Sequence, residues 1–273
     1  MHRNRGAVEN VALARAAWAM AAAVLVAILG VSASRAENAD IARLRAEQRL
    51  SFTDAEIFDG FFKTAFGAEL QIAGRTDRVR KFEGPVRVAV ESAAKPDRSA
   101  QVAAIVADIR AHLPHLDIAM VADPAKANVV VRLVRNRDIG RTLRARFGRQ
   151  ASRIQTKLDP QCLSGYRKDA KFRIEHSDVI LPVDAGDFIF YDCAYEEILQ
   201  ALGPINDDPS VPWTMFNDDV HKGFFDVYDQ YLLNILYDPR VRAGMTAKEV
   251  RTLLPQVMPT VRALVARLNG LPQ

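Results

Sequence analysis

The stretch YEEILQALGPIND, residues 195–207, decides how this chain is read. Positions four apart share one face of a helix, so Glu196 and Gln200 project together with Glu197 beside them. Gly203 takes backbone angles that a side chain forbids; the helix stops there, the chain turns sharply, and Asn206 is carried back toward the helix end. Pro204, with its fixed φ, constrains that turn. Taken alone, the segment also reads as an ordinary amphipathic helix with a glycine stop. Its surroundings have to decide.

Downstream, WTMFNDD (213–219) sets Met215 in a short turn, and FDVYDQYLLNILYDP (225–239) is an apolar helical run stopped by its aspartate and proline. Thr246 and Glu249 have capping-box spacing for a further helix, which Pro255 and Pro259 are expected to separate from the last one, TVRALVARLNG. Upstream, Thr53 and Glu56 form another capping box, with Ile57, Phe61, Phe62 and Ala65 on one helical face. GPVRVAVES alternates as a strand through Val86, Val88 and Val90. A helical run follows over residues 97–113, and Leu116 to Val121 and Val129 to Val134 read as two more strands. Val179 to Val183 reads as an edge strand, because Pro182 lacks the N–H that a central strand needs. The order strand, helix, strand, strand predicts a mixed α/β layer.

These segments together resemble the catalytic half of the metzincin zinc peptidases. The helix has the spacing His-Glu-x-x-His-x-x-Gly-x-x-His with Glu197 and Gly203 kept, and with Glu196, Gln200 and Asn206 at the three histidine positions. Met215 matches the turn that carries a methionine beneath the metal, and residues 225–239 match a closing helix that bears an aspartate and ends in Leu-Tyr. The set TAFG, KFEGPVRVAV, EEILQALGPIND, MFNDD and LYDPRVRAGM, in that order over roughly residues 50 to 250, is similar to an uncharacterised family of exported proteobacterial proteins with a Glu-Glu-x-x-Gln-x-x-Gly signature. The resemblance implies a zincin-like α/β (α+β) domain, a mixed twisted sheet with packed helices and a helical C-terminal part, in a periplasmic setting. It supplies no activity.

Zinc prefers imidazole, thiolate or carboxylate ligands, whereas the three ancestral positions offer one carboxylate and two neutral amides. No cofactor is therefore expected. Oxygen donors with Asp207 and Asp208 nearby suit calcium or magnesium better, without a complete shell in view. The first reading is a non-catalytic domain that binds a peptide or envelope protein in the former substrate cleft, with an open edge strand available for β-addition. The second is an atypical, peptidase-like hydrolase that keeps Glu197 as general base among non-histidine ligands.

Residues 1–36 have the layout of an export signal: Arg3, Arg5 and Arg15, an uncharged run from Ala16 to Val31, and small residues before cleavage after Ala33 or Ala36. The run is shorter than the ~20 residues of a spanning helix, so membrane attachment is expected only through an uncleaved signal. This leaves residues 37–273 as a single periplasmic or secreted domain. The chain carries a formal +4, but the first 36 residues, with four arginines and one glutamate, supply +3 of it. Overall charge therefore gives no argument for nucleic-acid binding. The two cysteines, Cys162 and Cys193, read as a disulfide in an oxidising compartment.

Residues 135–153 place seven arginines in nineteen positions. Such a stripe is usually a solvated face; an acidic partner, an anionic lipid surface or a phosphate would also use it, and a scaffolding role through Arg141, Arg144 and Arg149 is a third reading. His112 and His115, with Pro114 between them, read as helix-end residues rather than metal ligands. His176 and His221 have no partner motif, though either could lie near the cleft.

Overall fold

Thr53 closes a capping box with Glu56, each side chain bonding the other's backbone N–H, and so starts α2 (Asp54–Ala65) after the short α1 (Ala39–Glu47). The chain then runs through β1 (Val86–Ser92), α3 (Ser99–His112), β2 (Ile118–Met120), β3 (Val129–Val134), α4 (Ile139–Phe147), α5 (Ala151–Leu158), β4 (Leu163–Lys168), β5 (Ile174–Pro182), α6 (Asp187–Gln200), α7 (Val227–Tyr237) and α8 (Ala247–Asn269). This computed structural model describes residues 38–67, 77–158 and 161–272. The expected export signal, 1–36, lies outside them. No helix among the described residues is long and apolar enough to cross a membrane.

Five strands form one mixed sheet in the order β2-β1-β3-β5-β4. The first four are parallel, with Val88 opposite Val129 and Val131 opposite Val179, and β4 runs antiparallel to β5. Successive residues of a strand face opposite sides. In β5, Val179 and Leu181 enter the main core with α3, α6, α7 and α8, while Ile180 enters a second, small core with Ile139, Leu143, Ala151 and Ile154. Thus α4 and α5 cover one face of the sheet and α6 covers the other.

Two expectations are corrected. β5 is not the edge strand: it lies between β3 and β4. Pro182 is tolerated because it sits at the strand's end, beyond the last β4 partner at Ile180, and the following residue resumes the ladder through Val183 N–H to the Val134 carbonyl at 2.9 Å. The edges are β2 and β4, and the sequence did not announce β4. Its Gly165 breaks the apolar alternation, and a Cβ there would stand 3.0 Å from the Phe147 ring. Finally, Pro255 and Pro259 do not divide the last helix. Both lie on the exposed side of α8, so the carbonyls they leave unpaired within the helix face water, while Val250, Leu254, Val257, Met258 and Val261 keep the buried side continuous.

Candidate functional site

Phe190, Ala194, Ile198 and Leu199 hold α6 in the core with their side chains fully buried. The helix is fastened to the edge strand at two points. The Cys162–Cys193 disulfide joins the residue just before β4 to the middle of α6, with Cα atoms 5.9 Å apart, and the Ser164 hydroxyl donates to the side-chain Oε1 of Gln200 at 3.4 Å. Gly203 ends it as expected. Its φ is +145°, and a Cβ would stand 2.3 Å from the Arg80 carbonyl oxygen, so both the turn and the close packing of backbone on backbone require glycine.

The structure separates Glu196, Gln200 and Asn206, the three positions aligned with histidines in the sequence comparison. The Gln200 amide donates to Asp207 at 2.7 Å. Asn206 is turned away: its side chain donates to the Lys63 carbonyl at 2.9 Å and its backbone N–H to Thr64, against α2. Its neighbour Asp207 takes the inward place. Glu196, Asp207 and Asp218 bring one carboxylate oxygen each within 4.8 Å of one another. Burial first, then the charges of Glu197, Asp207, Asp192 and Asp218, push the Glu196 carboxyl well above its ordinary range. Glu197 is only 5% exposed. Asp208 is not part of the group; it accepts from the Ser210 backbone at 3.0 Å.

Met215 occupies a turn that is almost fully buried. Asp229 of α7 holds that turn, accepting from the Thr214 hydroxyl at 2.5 Å and the Met215 N–H at 2.9 Å. The turn also clasps the segment after Gly203, through Asp208 N–H to the Phe216 carbonyl at 2.9 Å. Lys222 donates to the Trp213 carbonyl and pairs with Asp226; burial pulls its ammonium down to about 8. One turn before Glu196, Asp192 binds the backbone N–H of Lys222 at 2.6 Å and the His221 ring at 2.8 Å.

Asp218, Ser164 and the Asp192–His221 pair were missed by sequence reasoning. Asn-Asp-Asp occurs twice, at 206–208 and 217–219, and that duplication was the available signal for Asp218.

The arrangement does not fit zinc. Among the described residues no imidazole or thiolate joins the group, Gln200 is engaged by Asp207, and Asn206 faces another helix. Three carboxylate oxygens are the donor type that hard cations take, and they amount to about half of such a cation's shell.

A family model described as a protein of unknown function (DUF2927) matches residues 54–256. No curated protein and no solved structure matches the chain.

Proposed function

Because the chain belongs to the DUF2927 family, a membership that brings no activity with it, we propose that it is an exported, metzincin-like domain without zinc chemistry that binds an extended peptide or protein segment of the cell envelope. The observation that carries this reading is the edge strand lying along the signature helix. β4 pairs only with β5 among the described residues, and the Cys162–Cys193 bridge and the Ser164–Gln200 bond fix it beside α6. A strand edge held in place next to a cleft helix is what β-addition needs: main-chain hydrogen bonds supply affinity and side-chain pockets supply selectivity. The kept glycine turn, methionine turn and closing helix support the ancestry, and the disulfide suits an oxidising compartment.

The rival hydrolase asks Glu197 to reach a substrate and Asn206 to complete a ligand set. The 5% exposure of Glu197 and the bond from Asn206 to Lys63 speak against both.

Elemental analysis of the exported protein and peptide-array binding test the proposal together. Zinc far below one equivalent, with bound peptides protecting the backbone amides of residues 163–168 from exchange, is the expected result. Stoichiometric zinc would overturn the loss of the metal site, and peptide binding that leaves 163–168 unprotected would overturn the strand-addition mode.

A further inference from the structure

On the opposite face of the sheet, the arginine stripe is gathered into a shaped feature. The first turn of α4 and the side of α5 enclose a groove of about 370 Å³ whose walls include Asn136, Arg137, Arg141, Arg144 and Gln155. Gly140 forms its floor: a Cβ there would lie 3.0 Å from the Gln155 amide nitrogen and 3.6 Å from a terminal nitrogen of Arg144. Both long side chains therefore fold back over the start of the helix. A 3-10 turn, Asn136–Asp138, runs straight into α4; the Asn136 N–H is taken by the Asp184 carboxylate and the Ile139 N–H by the Asn136 carbonyl, so the groove offers its side chains as donors. Two carboxylates stand at the groove's margin: Asp138, which lies 3.3 Å from Arg141, and Asp184, which accepts from the Asn136 backbone N–H at 2.8 Å. Arg137 and Arg144 have no acidic partner among the described residues.

We propose that this groove binds a phosphate ester or pyrophosphate group. Three guanidiniums against two carboxylates leave a local excess of one positive charge, and Arg137 and Arg144, without acidic partners among the described residues, can both turn to a phosphoryl group, whose several oxygens serve two forks where a single carboxylate serves one. Guanidinium forks pair with phosphate oxygens two at a time, and the side-chain amides of Asn136 and Gln155 on the groove's walls supply further neutral donors. The apolar sides of α4 and α5 are consumed by the sheet, since Ile139, Leu143 and Ile154 are buried on Ile180. The outer face is thus left to contact a ligand through charge and hydrogen bonds alone. The same chemistry is offered by a soluble phosphate and by an anionic lipid headgroup.

The test uses the whole purified protein with three probes at low salt: inorganic pyrophosphate, phosphatidylcholine vesicles containing phosphatidylglycerol, and polyglutamate. Saturable binding of pyrophosphate or of the anionic vesicles, with a shift of the Gly140 amide resonance, is expected. The double variant Arg137→Gln/Arg144→Gln should weaken that binding about tenfold, and the charge-matched control Arg110→Gln/Arg267→Gln should leave it within about twofold. Pyrophosphate binding without vesicle binding assigns a soluble ligand; vesicle binding that pyrophosphate displaces assigns a headgroup. The proposal is overturned if neither phosphate probe binds, if polyglutamate binds as tightly as they do, or if the control variant loses as much affinity as the groove variant.

Discussion

Glu196 shows how a single side chain reports the chemistry of the pocket around it. It is crowded by carboxylates, and burial with their charges raises its carboxyl above the unfolded value of 4.5. A raised pKa means that the fold prefers the protonated acid. Its contribution to stability is fully present below about 4.5 and is lost as pH rises through the folded value. Melting temperatures of the parent and Glu196→Gln, measured from pH 4 to pH 8, should coincide at the acid end and separate toward neutrality, with the variant the more stable. Parallel curves would mean that Glu196 ionises as it does in the unfolded chain. Asn206 teaches a different lesson at the same scale: the spacing put it at a ligand position, but one residue's displacement after Pro204 exchanged its place with Asp207.

At the scale of elements, the join between β4 and α6 shapes the candidate site. The disulfide closes a loop of 31 residues in sequence separation, and constraining such a loop in the unfolded chain stabilises a protein by about 3 to 4 kcal/mol on the chain-entropy model. Cys162→Ser with Cys193→Ser should lower stability by about that amount in denaturant titration. It should also raise exchange at β4 amides more than at β3 amides, since β3 is flanked by strands on both sides. Equal loosening of the two strands would count against a local role for the bridge. Elements with strong periodicity were legible in the sequence: the capped helix α2, the valine strands β1 and β3, α3, α7 and the start of α8 all lie where the pattern places them. What escaped is equally physical. β4 carries its glycine because an aromatic ring from α4 fills the space, and α8 runs through two prolines because they fall on its wet side; both depend on partners distant in sequence. The site was half legible for the same reason. Helical spacing located Glu196, Glu197, Gln200 and Gly203, whereas Asp218 and the Asp192–His221 pair are brought in by tertiary packing.

For the whole molecule, the two faces of the sheet are built to different depths. The side bearing α6 shares one large core with the C-terminal helices, while α4 and α5 rest on five buried residues, Ile139, Leu143, Ala151, Ile154 and Ile180. Regions with few buried apolar contacts open at lower free energy than the global transition. This helical pair should therefore breathe as its own cooperative unit. Native-state deuterium uptake should show residues 139–156 exchanging through an opening that leaves β3 and α6 closed, and exchange at the global rate throughout would contradict it. A ligand that clamps the arginines of α4 against Gln155 of α5 would slow that breathing, so occupancy of a surface groove would be legible as rigidity of the layer beneath it.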